Sequence, residues 1–304
     1  MLTAVSAVRE DLTVLPGRSV GGALWAVCRR AGAEGRPRFQ QVSAGTVDSF
    51  LMSEAGLLLL YRQPESLGAS RDLDLAIELL RGTRRYAQDP HDPLATGPML
   101  RIYRPQPTVA FGQRDRKLPG FEAAAAACTE LGFTPLVRRA GGRAAAYHSG
   151  SLVIDHIEPD PDPIRESQVR FRAFGELLGE ALLRCGLDVQ LGPIPYEYCY
   201  GEHSVHGVAP GQPDVRIKVI GTAQRQIGTG WLFSSSIVVE SGAAIRRVLT
   251  EAYGAMGLEW DPLTAGAADD LLPGVTVEEV EAAVLEAYAQ HWDLLPGTPG
   301  LLAP

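Results

Sequence analysis

The chain has 304 residues, 45% apolar and 21% charged, which is enough for one large domain or two small ones and a sizeable core. A formal net charge of −8 argues against a nucleic-acid-binding surface, and no apolar run is long enough to span a bilayer, so neither nucleic acid nor membrane is expected as a partner. Cys28, Cys128, Cys185 and Cys199 are widely spaced with no CxxC, which excludes the usual zinc, redox and disulfide-dense patterns; without a signal peptide the expectation is a cytoplasmic protein with reduced thiols.

Residues 1–65 read as an N-terminal extension of unassigned role, with strand candidates at 23–28 and 56–61 and a loop at 31–37. From Ser70 onward Leu73, Leu75, Ala76, Leu79 and Leu80 recur at helical spacing, with Ser70 as candidate cap and Gly82 as candidate stop. Residues 99–103 and 108–111 predict strands. An Ala-rich helix over 121–131 ends at Gly132, a strand over 134–139 runs into Gly141-Gly142-Arg143, and residues 151–154 continue the sheet. A helix over 166–185 ends at Gly186, and 188–191 is a short strand before the loop that carries Cys199. Gly228-Thr229-Gly230 separates two alternating runs, the pattern of a hairpin. After Val239 the chain is expected to turn helical and stay so, over 244–256 and 275–292, the second helix opening on Thr276, Glu278 and Glu279 as a capped, acidic start. Strands and helices mix without strict βαβ alternation. That predicts an α+β fold, a mixed β-sheet with helices mainly on one face, over a single domain of residues 66–304.

Three stretches carry chemistry. Residues 136–148, LVRRAGGRAAAYH, end a strand in arginines and glycines, where backbone N–H groups can approach an anionic or carbonyl ligand; alone, this is also what an ordinary turn looks like. Cys199, beside Gly201, is either an exposed reactive thiol or a small buried hydrophobe, the role that suits Cys128 and Cys185 on their amphipathic helices. Lys218 lies in VRIKVI, where alternation puts Arg216, Lys218 and Ile220 on one face and Val215, Ile217 and Val219 on the other; a strand lysine is usually solvated. A thiol and an amine on neighbouring elements suit acyl transfer. His148, His203 and His206 match no common metal spacing, and no metal is expected.

Taken together and in this order, the stretches resemble the biotin/lipoate protein ligase and lipoyl/octanoyl transferase family over roughly residues 70–290. Residues 138–148 look like its "RR-x-[ST]-GGG-A-V-Y-H" loop, and residues 218–225, KVIGTAQR, like its "K-[IVL]-x-G-[ST]-A-Q-R" motif. Residues 100–113 are similar to the sheet segment that precedes both. Residues 198–204, YCYGEHS, are similar to the "Y-C-P-G-x-[YH]-[SD]" loop of the cysteine-dependent octanoyltransferase and amidotransferase branch. The resemblance implies a lipoate/biotin ligase catalytic-domain fold, with Cys199 as the nucleophile that carries an acyl group and Lys218 as its acid/base partner. It places Arg138, Arg139, Gly141, Gly142, Arg143, Tyr147, His148, Gly221, Thr222, Ala223 and Gln224 at the substrate.

The departures also carry information. The glycine triplet falls on Gly142, Arg143 and Ala144, Gly141 replaces the Ser/Thr, and Tyr200 replaces the Pro. Trp231-Leu232-Phe233-Ser234-Ser235-Ser236 stands where the ligases tend to have "HHG-T", and the tail looks like two integral helices and not an accessory domain. These points favour transfer without ATP. The implied reaction moves an octanoyl or lipoyl group from a carrier thioester or lipoyl-type domain to a lysine of a lipoyl domain. Acyl carrier protein or a glycine-cleavage H-like protein is the donor, and no cofactor is required. Oxyanion donors are expected near Gly142 or in a Gly221–Ala223 turn, tunnel walls at residues 109–111 and 231–233, and a basic carrier-docking patch from Arg138, Arg139, Arg143 and Arg225. The competing readings are an ATP-dependent lipoate–protein ligase using lipoate and ATP/Mg with Cys199 incidental, a non-catalytic carrier-protein-binding module, and a transferase for another acyl group.

Overall fold

The computed structural model of the chain describes residues 50–51 and 56–302. Strand β1 (Leu57–Arg62) leads into helix α1 (Ala69–Gln88) and strand β2 (Met99–Tyr103). Helix α1 starts one residue before Ser70, after Gly68, and runs on through Gly82. Gly82 is a packing glycine and not the expected stop: a Cβ there would lie 2.2 Å from Thr96 Oγ1.

Strand β3 (Thr108–Phe111), helix α2 (Phe121–Glu130) and strands β4 (Thr134–Val137) and β5 (Ala145–Tyr147) follow. Then come β6 (Ser151–Pro159), α3 (Ser167–Arg184), β7 (Val189–Leu191), β8 (Val205–Ala209), β9 (Gln212–Ile227) and β10 (Gly230–Val238). Helices α4 (Gly242–Ala255) and α5 (Val277–Tyr288) and strand β11 (Asp293–Pro296) complete the described chain. Among the described residues no helix is long and apolar enough to cross a membrane.

Eight strands form one mixed sheet in the order β11-β1-β2-β6-β10-β9-β8-β7, and β4-β3-β5 form a second. Alternation along β2 sorts its residues between two cores. Leu100 and Ile102 join α3 and α5 around Phe174, Trp231, Phe233 and Tyr288, while Met99 meets Leu75, Leu79 and Leu80 of α1. Each of the large apolar side chains sealed there contributes roughly 1.5–3 kcal/mol. The α+β class with a mixed sheet stands. The helices are divided more evenly than expected: α3 and α5 cover one face, α1 the other, and α2 and α4 pack on the small sheet through Cys128, Ile245 and Leu249.

Several expectations need correction. The tail is not helical throughout, because β11 pairs in parallel with β1, from Leu57 with Asp293 to Leu60 with Pro296. Strand β1 also pairs with β2, so the domain begins before residue 66. Strands β5 and β8 escaped the sequence reading: β5 is Ala-Ala-Tyr and β8 contains Gly207, both poor strand signals. The expected strand at 23–28 and loop at 31–37 lie outside the described residues.

Two buried polar clusters stabilise the sheet. Arg101 on β2 is fully buried, with Nη2 2.8 Å from Asp72 Oδ1, Nη1 3.0 Å from Asp155 Oδ2, and both Nε and Nη2 donating to Gln63 Oε1. On the α3/α5 face, His156 Nε2 lies 3.0 Å from Glu158 Oε1, inside a ring of Phe174, Trp231, Tyr288 and Trp292. Burial there pushes the Glu158 carboxyl up to about 8.

Candidate active site

Alternation alone would group Lys218 with Ile220. The register of β8 on β9 slips between Val205, which faces Ile220, and His206, which faces Lys218, leaving Val219 as an extra residue. This β-bulge lets Ile217, Val219 and Ile220 all join the core under α3 and α5, and it turns Lys218 the other way. Lys218 is 2% exposed, so it is not the solvated strand lysine that its residue type predicts. Its amine donates to the carbonyls of Tyr198 (3.1 Å) and Cys199 (2.8 Å) and lies 3.4 Å from Glu197 Oε1. Glu197 Oε1 also accepts from the Gly201 N–H and the Ser204 hydroxyl. The Lys218 amine thus fastens the Cys199 loop through its carbonyls and is not directed at the sulfur.

The loop it holds is conformationally demanding. Tyr196 and Cys199 both have positive φ, 61° and 44°, a region costly for residues with a Cβ. The Cys199 N–H donates to the Tyr253 hydroxyl (2.8 Å), which donates in turn to the Ala144 carbonyl (3.0 Å). One phenol from α4 therefore ties the cysteine loop to the glycine loop. The thiol meets the glycine loop directly, since Sγ accepts from the Arg143 N–H (3.2 Å) and from Arg138 Nη2 (3.5 Å). Gly142, at φ 99°, makes this approach possible: a Cβ there would lie 2.8 Å from Sγ and 2.5 Å from Arg138 Nη2.

Cys199, Lys218, Arg138, Gly142, Phe171 and Thr222 are among the walls of a cavity of about 450 Å³, to which Gly141, Gly221, Ala223 and Gln224 also contribute. A second space of about 80 Å³ adjoins it, sharing Arg138, Gly221, Ala223 and Ser236 and adding Arg139, Tyr147 and Leu232. Of the expected substrate residues, two point elsewhere. Arg143 offers its N–H to the thiol, while its guanidinium pairs with buried Asp115 at 2.9 Å. His148 touches neither space; its Nδ1 accepts from the Gly150 N–H (2.9 Å) and its Nε2 lies 3.5 Å from the Ser241 carbonyl. Gly221–Ala223 is no turn, because it runs mid-strand opposite Ser236–Ser234 of β10. Nor are residues 109–111, Trp231 and Phe233 tunnel walls: Trp231 and Phe233 pack under α3 and α5, Val109 and Phe111 pack with α2 and α4, Ala110 packs with Tyr103, Tyr147 and Val153, and only Leu232 reaches the smaller space. Sequence reading missed Glu197, Tyr253, Asp115 and Phe171. Glu197 alone had a local signal, two residues before the cysteine.

Residues 82–289 match the model of the lipoyl protein ligase A/B catalytic domain, and the chain belongs to that family. It is 27% identical over 180 residues to the octanoyl-[GcvH]:protein N-octanoyltransferase of Geobacillus kaustophilus, covering 58% of this chain and 60% of that one. It is 24% identical over 145 residues to the lipoyl-[GcvH]:protein N-lipoyltransferase of Listeria monocytogenes, covering 47% and 49%. The chain thus spans about half to three-fifths of the length of these curated relatives. Among solved structures, the bipartite lipoate protein ligase of Thermoplasma acidophilum superposes with a TM-score of 0.54 at 20% identity, over 81% of this chain and 88% of that one.

Proposed function

We propose that the chain is an acyltransferase of protein lipoylation, moving an octanoyl or lipoyl group from a carrier to a lysine of a lipoyl-type domain through a Cys199 thioester. The observation that carries this reading is the Cys199 sulfur itself, held at the cavity wall with two N–H donors on it. That setting suits a thiolate nucleophile. The names of the relatives support the choice of acyl group and of a GcvH-like donor.

In the first half-reaction the thiolate attacks the donor's acyl carbonyl. The C–S bond forms, the bond to the carrier's sulfur or nitrogen breaks, and Lys218 gives a proton to the departing group. In the second, the acceptor lysine's amine attacks the thioester and yields a proton to the now neutral Lys218. The amide forms and the thiolate leaves. Glu197 lies 3.4 Å from the amine and helps hold it in place. No nucleotide takes part, and a free thiol of this kind suits a reducing cytoplasm.

An acidic carrier fits the rim. Of the four arginines expected to meet it, Arg138 and Arg143 are engaged around the thiol, whereas Arg139 and Arg225 are exposed. Arg114, Arg116 and Lys117 stand exposed on the turn beside Arg143 and extend that positive rim.

The test is intact mass after incubation with octanoyl-carrier protein, and separately octanoyl-GcvH, in the absence of ATP. A hydroxylamine-sensitive octanoyl adduct is expected on the wild type and not on Cys199→Ser. No adduct from either donor, with lipoyl-domain labelling once lipoate and ATP are added, would move the protein to the ligases.

A further inference from the structure

Arg143 stands where the family's loop has a glycine, and its backbone and side chain do separate things. The N–H points at Cys199 Sγ, the carbonyl accepts from Arg138 Nη2 at 2.9 Å, and the guanidinium reaches Asp115. Asp115 is completely buried, whereas Arg143 is 37% exposed at the side chain, so the fixed member of the pair is the carboxylate. Its other oxygen accepts the Gly112 N–H at 2.8 Å. Gly112 in turn presses on the same loop, since a Cβ there would meet the Gly142 carbonyl oxygen at 1.8 Å. One carboxylate therefore braces both the Gly112 turn and the Gly142-Arg143 turn, and it uses the very side chain that departs from glycine.

We infer that Asp115 is a positioning residue for Cys199: by holding Arg143, it keeps that residue's N–H on the sulfur. The inference rests on the acyl-enzyme reading above. A backbone N–H is worth placing there because the thiolate is needed twice, as nucleophile in the first half-reaction and as leaving group in the second. A glycine at position 143 would leave the loop free to move, as glycine peptides sample more of φ/ψ space. An arginine tied to a buried carboxylate removes that freedom. Asp115 touches neither the sulfur nor the cavity, so its effect reaches the thiol through Arg143 and through the Gly112 turn that backs Gly142.

The experiment measures the rate of iodoacetamide alkylation at Cys199, site-resolved by mass spectrometry across pH, in wild type, Asp115→Asn, Arg143→Ala and the double variant. Thermal melts run alongside. Losing one hydrogen bond to a charged sulfur predicts about tenfold slower alkylation in each single variant. The pH profile moves to higher pH, and the double variant is no slower than the slower single. Asp115→Glu, which keeps the charge, recovers part of the rate. A wild-type alkylation profile in folded Asp115→Asn, or losses that multiply in the double variant, would overturn the inference. If Asp115→Asn lowers only the fraction folded, with the profile of the folded part unchanged, the residue is purely structural and the inference again fails. Failure of the acyl-enzyme reading looks different: alkylation would depend on Asp115 as described, yet no donor would leave an acyl group on Cys199.

Discussion

Arg101 on β2 and Lys218 on β9 are both sealed from solvent and both held by carboxylates, yet their donors are left with different work. Arg101 is closed off: Nε, Nη1 and Nη2 all end on Gln63, Asp72 or Asp155. The Lys218 cluster is open. It lines the main cavity, it supports backbone carbonyls at a strained cysteine, and its carboxylate partner keeps one oxygen, Glu197 Oε2, without a hydrogen-bond partner. A buried ion pair is thus no sign of function by itself. The useful distinction is whether every donor and acceptor is consumed.

Two substitutions test that distinction directly. Lys218→Met is expected to lower acyl transfer by about 10²–10⁴-fold per folded molecule, as loss of an acid/base group does, and also to destabilise the chain by leaving Glu197 buried without its counterion. Single-turnover transfer from a pre-formed acyl-carrier, normalised to folded protein, measures the first effect. Arg101→Leu is expected to cost about 3–5 kcal/mol of stability, read by denaturant unfolding, because Asp72 and Asp155 lose their shared cation. Its folded fraction should transfer at close to the wild-type rate. A normal rate in Lys218→Met would erase the contrast between the clusters.

A third buried cluster sharpens the point at smaller amplitude. Glu158, raised to about 8 by burial, holds a proton in the folded state that an unfolded chain releases near 4.5. Its contribution to stability is therefore complete below about 4.5 and lost as pH rises to about 8. Glu158→Gln should flatten the fall of melting temperature over that window by a few degrees. An unchanged slope would mean the pair with His156 stays ionised.

What the sequence made legible follows the same logic. Cys199, Lys218 and the glycine loop were readable because each sits in a short stretch whose residue types are unusual together. Helix α1 was readable from its apolar spacing. The partners were not readable: Asp115 meets Arg143, and Tyr253 meets Cys199, only through folding, and neither residue has a local pattern of its own. The bulge at Val219 was hidden for another reason. Strict alternation through VRIKVI reads equally well with or without an inserted residue, and only the pairing of β8 decides which face Lys218 takes. Strand β11, just past the helix expected over 275–292, was missed because Asp-Leu-Leu-Pro carries no strand propensity of note.

That last strand has a bearing on how the chain reaches its native state. Strand β1 is a run of four leucines followed by Tyr61 and Arg62, and one of its two edges is covered only by β11, from the far end of the described chain. Until residues 293–296 arrive, Leu57–Leu60 offer an unpaired leucine-rich strand to any other chain nearby. The pairing is about as non-local as this domain allows, so it is expected to be among the last contacts made in folding. During synthesis one exposure to aggregation therefore lies at this sheet edge, far in sequence from Cys199 and Lys218.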